Sequence, residues 1–200
     1  MSVLALSHAP VGVARLTAAQ LLELAGPAMK EVEARLQAHM ASTMGKIPEV
    51  GGHLLGAGGK RLRPLLTILA CRAADAPLPA AVSVACAAEL IHTATLFHDD
   101  VVDNGSVRRG RPAARMVYGN GIAVLVGDYC FARGLASVAD TGLLVAVRSL
   151  ADAVTEMAEG EVAQMEGAGD CGATVAAYFD VIDRKTGASA IAPPTTATCT

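Results

Sequence analysis

The chain contains no tryptophan, and its aromatic content is only 3%. Its core must therefore be aliphatic, built mainly from Ala, Leu and Val. Charged residues are also scarce, at 18% of 200 positions, against 52% hydrophobic. That balance excludes a disordered, highly charged polymer and leaves enough apolar material for a sizeable core. There is no excess of cations. Lys and Arg number 16 and Asp and Glu 19, for a net charge of −3, so a nucleic-acid footprint is not expected. No two cysteines stand at CxxC spacing. Cys71, Cys86, Cys130, Cys171 and Cys199 are an odd, scattered set, which fits a reducing cytoplasm better than a disulfide framework. No basic segment precedes the short apolar patch within residues 1–16, which argues against a signal peptide. Mean hydropathy is high, at +0.43. Yet the uncharged stretch before Glu89 is interrupted by Asp75, Pro77 and Pro79, so no transmembrane segment is expected.

What the sequence does have is helical signal. Thr17 followed three residues later by Gln20 reads as a capping box. It opens a helix to about Met40, which Pro27 should kink or divide. Gly51, Gly52, Gly56, Gly58 and Gly59 suggest a loop or a short helix. Pro64 sits where a new helix can start. Further helices are expected over 80–103, 122–139, 143–167 and 174–186, with Asn104-Gly105 as a stop signal. No strand alternation and no fixed repeat is visible. The fold class is all-α, as one domain over residues 1–200. Residues 190–200 form a low-complexity proline-threonine tail.

The most informative helix runs from Glu89 to Asp103. On a helical wheel Glu89, His92, Thr93, Asp99, Asp100 and Asp103 share an arc of roughly 120°. Apolar residues fill most of the rest. Asp99 and Asp103 lie one turn apart, so their carboxylates can converge, with Asp100 nearby. Such a cluster raises its own pKa values unless a cation lies within it. Oxygen-only ligation favours a hard ion such as Mg²⁺. Arg108, Arg109 and Arg111 follow. They are either salt-bridge partners of the aspartates or an anion site beside a metal. Carboxylate, Mg²⁺ and guanidinium together suit a diphosphate. A second cationic cluster, Lys60, Arg61 and Arg63, stands at a likely helix N-terminus, where cations are unfavourable unless an anion docks among them. It is not a Walker loop, because position 54 is Leu and position 61 is Arg. Two anion sites, one with metal, imply two phosphorylated substrates.

These residues resemble a known family. Gly58-Gly59-Lys60-Arg61-Leu62-Arg63-Pro64 is similar to the GGKRxRP motif of trans-polyprenyl diphosphate synthases. Ile91 to Asp103, with Arg108-Arg109-Gly110, resembles their first aspartate-rich motif and its arginine pair. Val126-Gly127-Asp128-Tyr129 resembles their GDY segment, and Lys185-Thr186 the start of their KTA motif. The overall pattern is most similar to octaprenyl-type synthases. The resemblance implies an isoprenoid-synthase helical bundle and an Mg²⁺-dependent prenyltransferase. Asp99, Asp100 and Asp103 would be the catalytic carboxylates, with Mg²⁺ on Asp99 and Asp103. Isopentenyl diphosphate would be held by Lys60, Arg63, His92 and Arg109. The allylic diphosphate would be held by Arg108, Lys185 and Thr186. Ala94 and Thr95, both small, suggest an open tunnel and a long product.

The sequence also departs from the family. It has no second DDxxD motif, its KTA becomes Lys185-Thr186-Gly187, and nothing resembles the family after Ser189. It therefore reads as the N-terminal portion of a truncated bundle, weak or inactive alone. It would be a homodimer or pair with a full-length subunit, and the apolar 80–103 helix would expose surface. Two alternatives remain: a non-catalytic helical partner of a complete synthase, and a metal-dependent phosphohydrolase using His98 and Asp99.

Overall fold

Thr17 caps the first helix as its spacing predicts. Its hydroxyl accepts from the Gln20 N–H at 3.3 Å, and the Gln20 side chain accepts from the Thr17 N–H at 2.8 Å. The computed structural model describes residues 16–56, 58–169 and 172–187. Helix α1 spans Ala18–His39 as one element through Pro27, so the proline does not divide it. Helices α2 (Lys46–Leu55) and α3 (Leu62–Ala73) flank the glycine-rich loop. Helix α4 (Leu78–Val102) is the central helix. After it come two-residue strands β1 (Val107–Arg108) and β2 (Arg111–Pro112), a short antiparallel ladder that alternation over longer windows cannot signal. Helices α5 (Ala114–Tyr118), α6 (Asn120–Ala139), α7 (Leu144–Glu166) and α8 (Val175–Ile182) complete the set. Beyond α8 the helix expected to reach 186 becomes a π-helical turn, Asp183–Gly187. Cys171, Cys199 and the proline-threonine tail lie outside the described residues.

Helix α4 packs most extensively on α6 and then on α3 and α1. Leu90, Ala94 and Phe97 of α4 meet Val32 and Leu36 of α1, Ile68 of α3 and Val126 of α6 in an aliphatic core. Ala87 and Ile91 face a second cluster with Val138, Ala146 and Leu150. The expectation that the apolar 80–103 helix exposes surface is therefore not met. By length and composition α4 and α6 are each apolar enough to cross a membrane, but 67% of that stretch of α4 is buried within the fold. On α4 itself the exposed large apolar residues are its two end residues, Leu78 and Val102; others are Leu144 and Val145 at the start of α7 and Val175, Tyr178 and Phe179 on α8. Cys71, Cys86 and Cys130 are buried free thiols. Burial pushes both Cys86 and Cys130 up to about 12, so they behave as small hydrophobes.

The GDY segment has a packing reason. A Cβ on Gly127 would stand 2.4 Å from Nε2 of His98, whose ring lies against α6. Gly127→Ala is expected to displace that ring and lower stability by about 1–3 kcal/mol. Chemical denaturation would show it.

Candidate diphosphate site

Both cationic and acidic elements converge on the C-terminal half of α4. Arg61, the N-cap of α3, has a left-handed backbone (φ 46°). Its guanidinium bonds Glu89 of α4 at 2.7 Å, Glu33 of α1 at 3.1 Å and the Leu55 carbonyl at 3.1 Å. Glu89 is only 4% exposed. Of the three cations near the start of α3, Arg61 is thus compensated inside the protein. No docked anion is needed to explain its place. Arg63 is half-buried, and Glu89 opposes the downward pull that burial exerts on it. Lys60 is exposed.

Arg109 closes the same site from the other side. It donates to the carbonyls of Gly58 and Leu54, and its guanidinium lies beside Gly59. The loop at 58–63 and the segment after α4 are therefore in direct contact. His92 is under the influence of both. Burial first, then Arg63, Arg109, Arg108 and Arg61, hold its imidazole down at about 4. It is neutral at physiological pH and can donate or accept a hydrogen bond without adding charge. This has a consequence for stability. The unfolded chain takes up a proton on His92 near pH 6.5, and the folded chain refuses it until about pH 4. Stability is therefore fully present above 6.5 and falls as the pH drops toward 4. Urea midpoints compared at pH 7 and pH 5 should show that fall, and His92→Gln should flatten it. His39, also lowered by burial, leaves a residual slope.

The three aspartates divide. Asp100 is buried, 2% exposed, and its Oδ1 accepts from both Nε and Nη2 of Arg108, at 2.9 and 2.6 Å. This pair ties the β1 strand to α4. Asp99 is partly buried and Asp103 is exposed. Burial first, then Glu161 and Asp103, push Asp99 up, while Lys185 and Arg108 pull it down. The sequence did not single out Glu161. It lies on α7, and its Oε2 pairs with Lys185 at 2.5 Å. Its Oε1 is buried with no hydrogen-bond partner. Lys185 also donates to Gln164 at 3.0 Å. The π-helical turn carries Lys185 to this place. Gly160 permits the approach, since a Cβ there would stand 2.8 Å from the Arg184 Cβ and 3.0 Å from the Lys185 backbone nitrogen. A lone glycine inside a helix was the available signal. Thr186 belongs to the π-helical turn. His98 faces away, with Nε2 3.2 Å from both the Val124 carbonyl and Asp128.

Among the described residues no three His, Cys, Asp or Glu side chains form a ready-made metal cage. Mg²⁺ does not require one. It is commonly held by one or two carboxylates, with waters and substrate phosphates completing the octahedron. Asp99 and Asp103 stand one turn apart, and Glu161, with its orphaned oxygen, is close enough to push Asp99 up, so the oxygen donors present are of the kind that ion takes.

Comparison with known proteins shows the family and the fold. The polyprenyl synthetase family profile matches residues 45–200. Octaprenyl diphosphate synthase of Haemophilus influenzae is 38% identical over 84% of this chain and 51% of its own length. Heptaprenyl diphosphate synthase component 2 of Geobacillus stearothermophilus is 40% identical over 78% of this chain and 48% of its own. A crystal structure of a polyprenyl synthase from Caulobacter crescentus, complexed with calcium and isoprenyl diphosphate, superposes with a TM-score of 0.82. It is 38% identical over 92% of this chain and 59% of that one. The chain thus spans about half the length of the curated relatives it matches. The architecture is that of isoprenoid synthases, and the expected all-α bundle is what the structure contains.

Proposed function

The chain belongs to the polyprenyl synthetase family, and from that premise we propose that it carries the diphosphate-handling half of an Mg²⁺-dependent prenyltransferase. The reaction joins isopentenyl diphosphate to an allylic diphosphate and yields a long-chain polyprenyl diphosphate. One observation carries the reading. Arg61 and Arg109 both tie the 58–63 loop to α4 and its following turn, so four arginines act on His92, and one of them, Arg108, also acts on Asp99 beside Asp103. The coloured variety of charge suits two diphosphates side by side, one gripped by cations alone.

Lys60, Arg63 and Arg109 bind the isopentenyl diphosphate, and neutral His92 adds a hydrogen bond without adding charge. Asp99 and Asp103 hold Mg²⁺, which when bound neutralises the diphosphate leaving group of the allylic substrate. Lys185 exchanges Glu161 for that diphosphate, Thr186 is the next residue of the same motif assigned to it, and Arg108 stays anchored on Asp100. The allylic C–O bond breaks with its electrons going to the diphosphate. The isopentenyl double bond attacks the resulting cation, and loss of a proton restores a double bond. The aliphatic walls keep water from the cation. Three buried thiols fit a cytoplasmic setting.

Equilibrium binding of farnesyl diphosphate tests the site. Saturable binding that requires Mg²⁺ is expected, and its absence defeats the reading. With labelled isopentenyl diphosphate added, elongation by this chain alone is expected at background, because no second aspartate-rich motif completes the metal site. Robust elongation overturns that part. The apolar residues exposed on α7 and α8 and the component naming of the Geobacillus relative support a second reading, a subunit that pairs with a complete synthase. A larger species formed only when such a subunit is added distinguishes it.

A further inference from the structure

A second cationic cleft lies toward the other end of α4. It has a volume of 390 Å³ and is lined by Arg35, His39, Ser83, Arg133, Ser137 and Asp140. Ser83 and Asp99 are sixteen residues apart on α4, about 24 Å along the axis. The cleft is therefore separate from the site above. Arg133 is its unusual member. It makes no ion pair with any described residue, and its Nε is buried with no hydrogen-bond partner. Its Nη2 lies 3.2 Å from Nδ1 of His39. A guanidinium can only donate, so Nδ1 accepts and the His39 proton sits on Nε2. Burial, Arg133 and Arg35 all keep that ring neutral. Arg35, held by Glu31 at 2.6 Å and by the Ser83 hydroxyl at 3.1 Å, stands nearby. Two guanidiniums beside a neutral imidazole, one of them in no ion pair with a described residue, make a place for an oxyanion.

A second cavity, of 460 Å³, shares Arg35, Ser83 and Asp140 with the first. The rest of its wall is largely apolar, with Cys71, Ala80 and Val84 among its members. We propose that the two cavities together bind an anionic amphiphile, with its phosphate or carboxylate head at Arg133 and Arg35 and its aliphatic tail in the apolar cavity. Asp140 limits the net positive charge, which suits a head bearing one or two negative charges.

Titration calorimetry on the full chain in EDTA tests this, with dodecyl phosphate kept below its micellar concentration. One saturable site is expected. Dodecanoate in place of dodecyl phosphate separates carboxylate from phosphate heads, and binding of either supports the proposal. Arg133→Gln should weaken the site by about tenfold or more, and Asp99→Asn should leave it unchanged. Ala80→Leu should weaken dodecyl phosphate but not inorganic phosphate. No saturable binding of either amphiphile overturns the proposal. So does equal binding of the uncharged dodecyl maltoside, or loss of binding in Asp99→Asn. Inorganic phosphate binding as tightly as dodecyl phosphate overturns the role of the apolar cavity. If Arg133→Gln loses its helical circular dichroism, Ala80→Leu and the salt dependence of binding decide.

Discussion

Arg61→Ala is expected to cost about 3–5 kcal/mol of stability, the range for breaking a buried ion pair from one side. Arg61 shields the Glu89 carboxylate, whose side chain is only 5% exposed. With the guanidinium gone, the Glu89 side chain is left in a poorly solvated place without its closest partner. Glu33 is 46% exposed and loses little. The backbone adds almost nothing to this loss, because residue 61 is left-handed and arginine and alanine bear the same strain there. Arg61→Gly relieves that strain and should therefore lose less than Arg61→Ala. Arg61→Met combined with Glu89→Leu should recover most of the loss, since an apolar pair of similar volume replaces a buried ionic one at little cost. Urea unfolding measures all three. A loss below about 1 kcal/mol in Arg61→Ala would show that Glu89 is not held by this contact.

The double variant Asp99→Ala with Asp103→Ala should lose Mg²⁺-dependent farnesyl diphosphate binding by about a hundredfold or more, as expected when two charge-assisted contacts go. The same change should raise stability without Mg²⁺. Asp99 titrates higher in the fold than in the unfolded chain, through burial, Glu161 and Asp103. Its contribution is thus favourable at low pH and lost as the pH rises through its folded-state value. Removing the carboxylate removes that penalty near neutrality. A variant that binds less yet unfolds later is the signature of a site built for charge. Unchanged Mg²⁺-dependent binding would show that the metal lies elsewhere.

Much of the scaffold could be read from local chemistry. Thr17 and Gln20 gave the start of α1, and the apolar run ending at Asn104-Gly105 gave the end of α4 within a residue or two. Pro64 gave α3 within its first turn. The motif residues of the loop and of α4 do meet in space. What could not be read was partnership across distance. Arg61 looked like one of three equivalent cations, because Glu33 and Glu89 each lie 28 residues away. Asp100 stood apart from the Asp99 and Asp103 pair on the helical wheel, but that Arg108 is the arginine that holds it could not be read. Glu161 and Gln164 read as a polar helix face, since only the π-helical turn at Asp183–Gly187 brings Lys185 onto them.

The two-residue connection between β1 and β2 sets a length that the chemistry depends on. Arg109 and Gly110 both take positive φ, 52° and 76°, as the tight turn of a right-twisting ribbon requires. Because Arg108 is paired across from Arg111, one arginine is aimed at α4 and the next at the 58–59 loop. Inserting or deleting a single residue here would rotate the pair out of phase and give each guanidinium the other's direction. Composition would be almost unchanged, yet the clasp between the two halves of the pocket would open. The turn is therefore a spacer whose length carries as much information as the residues in it.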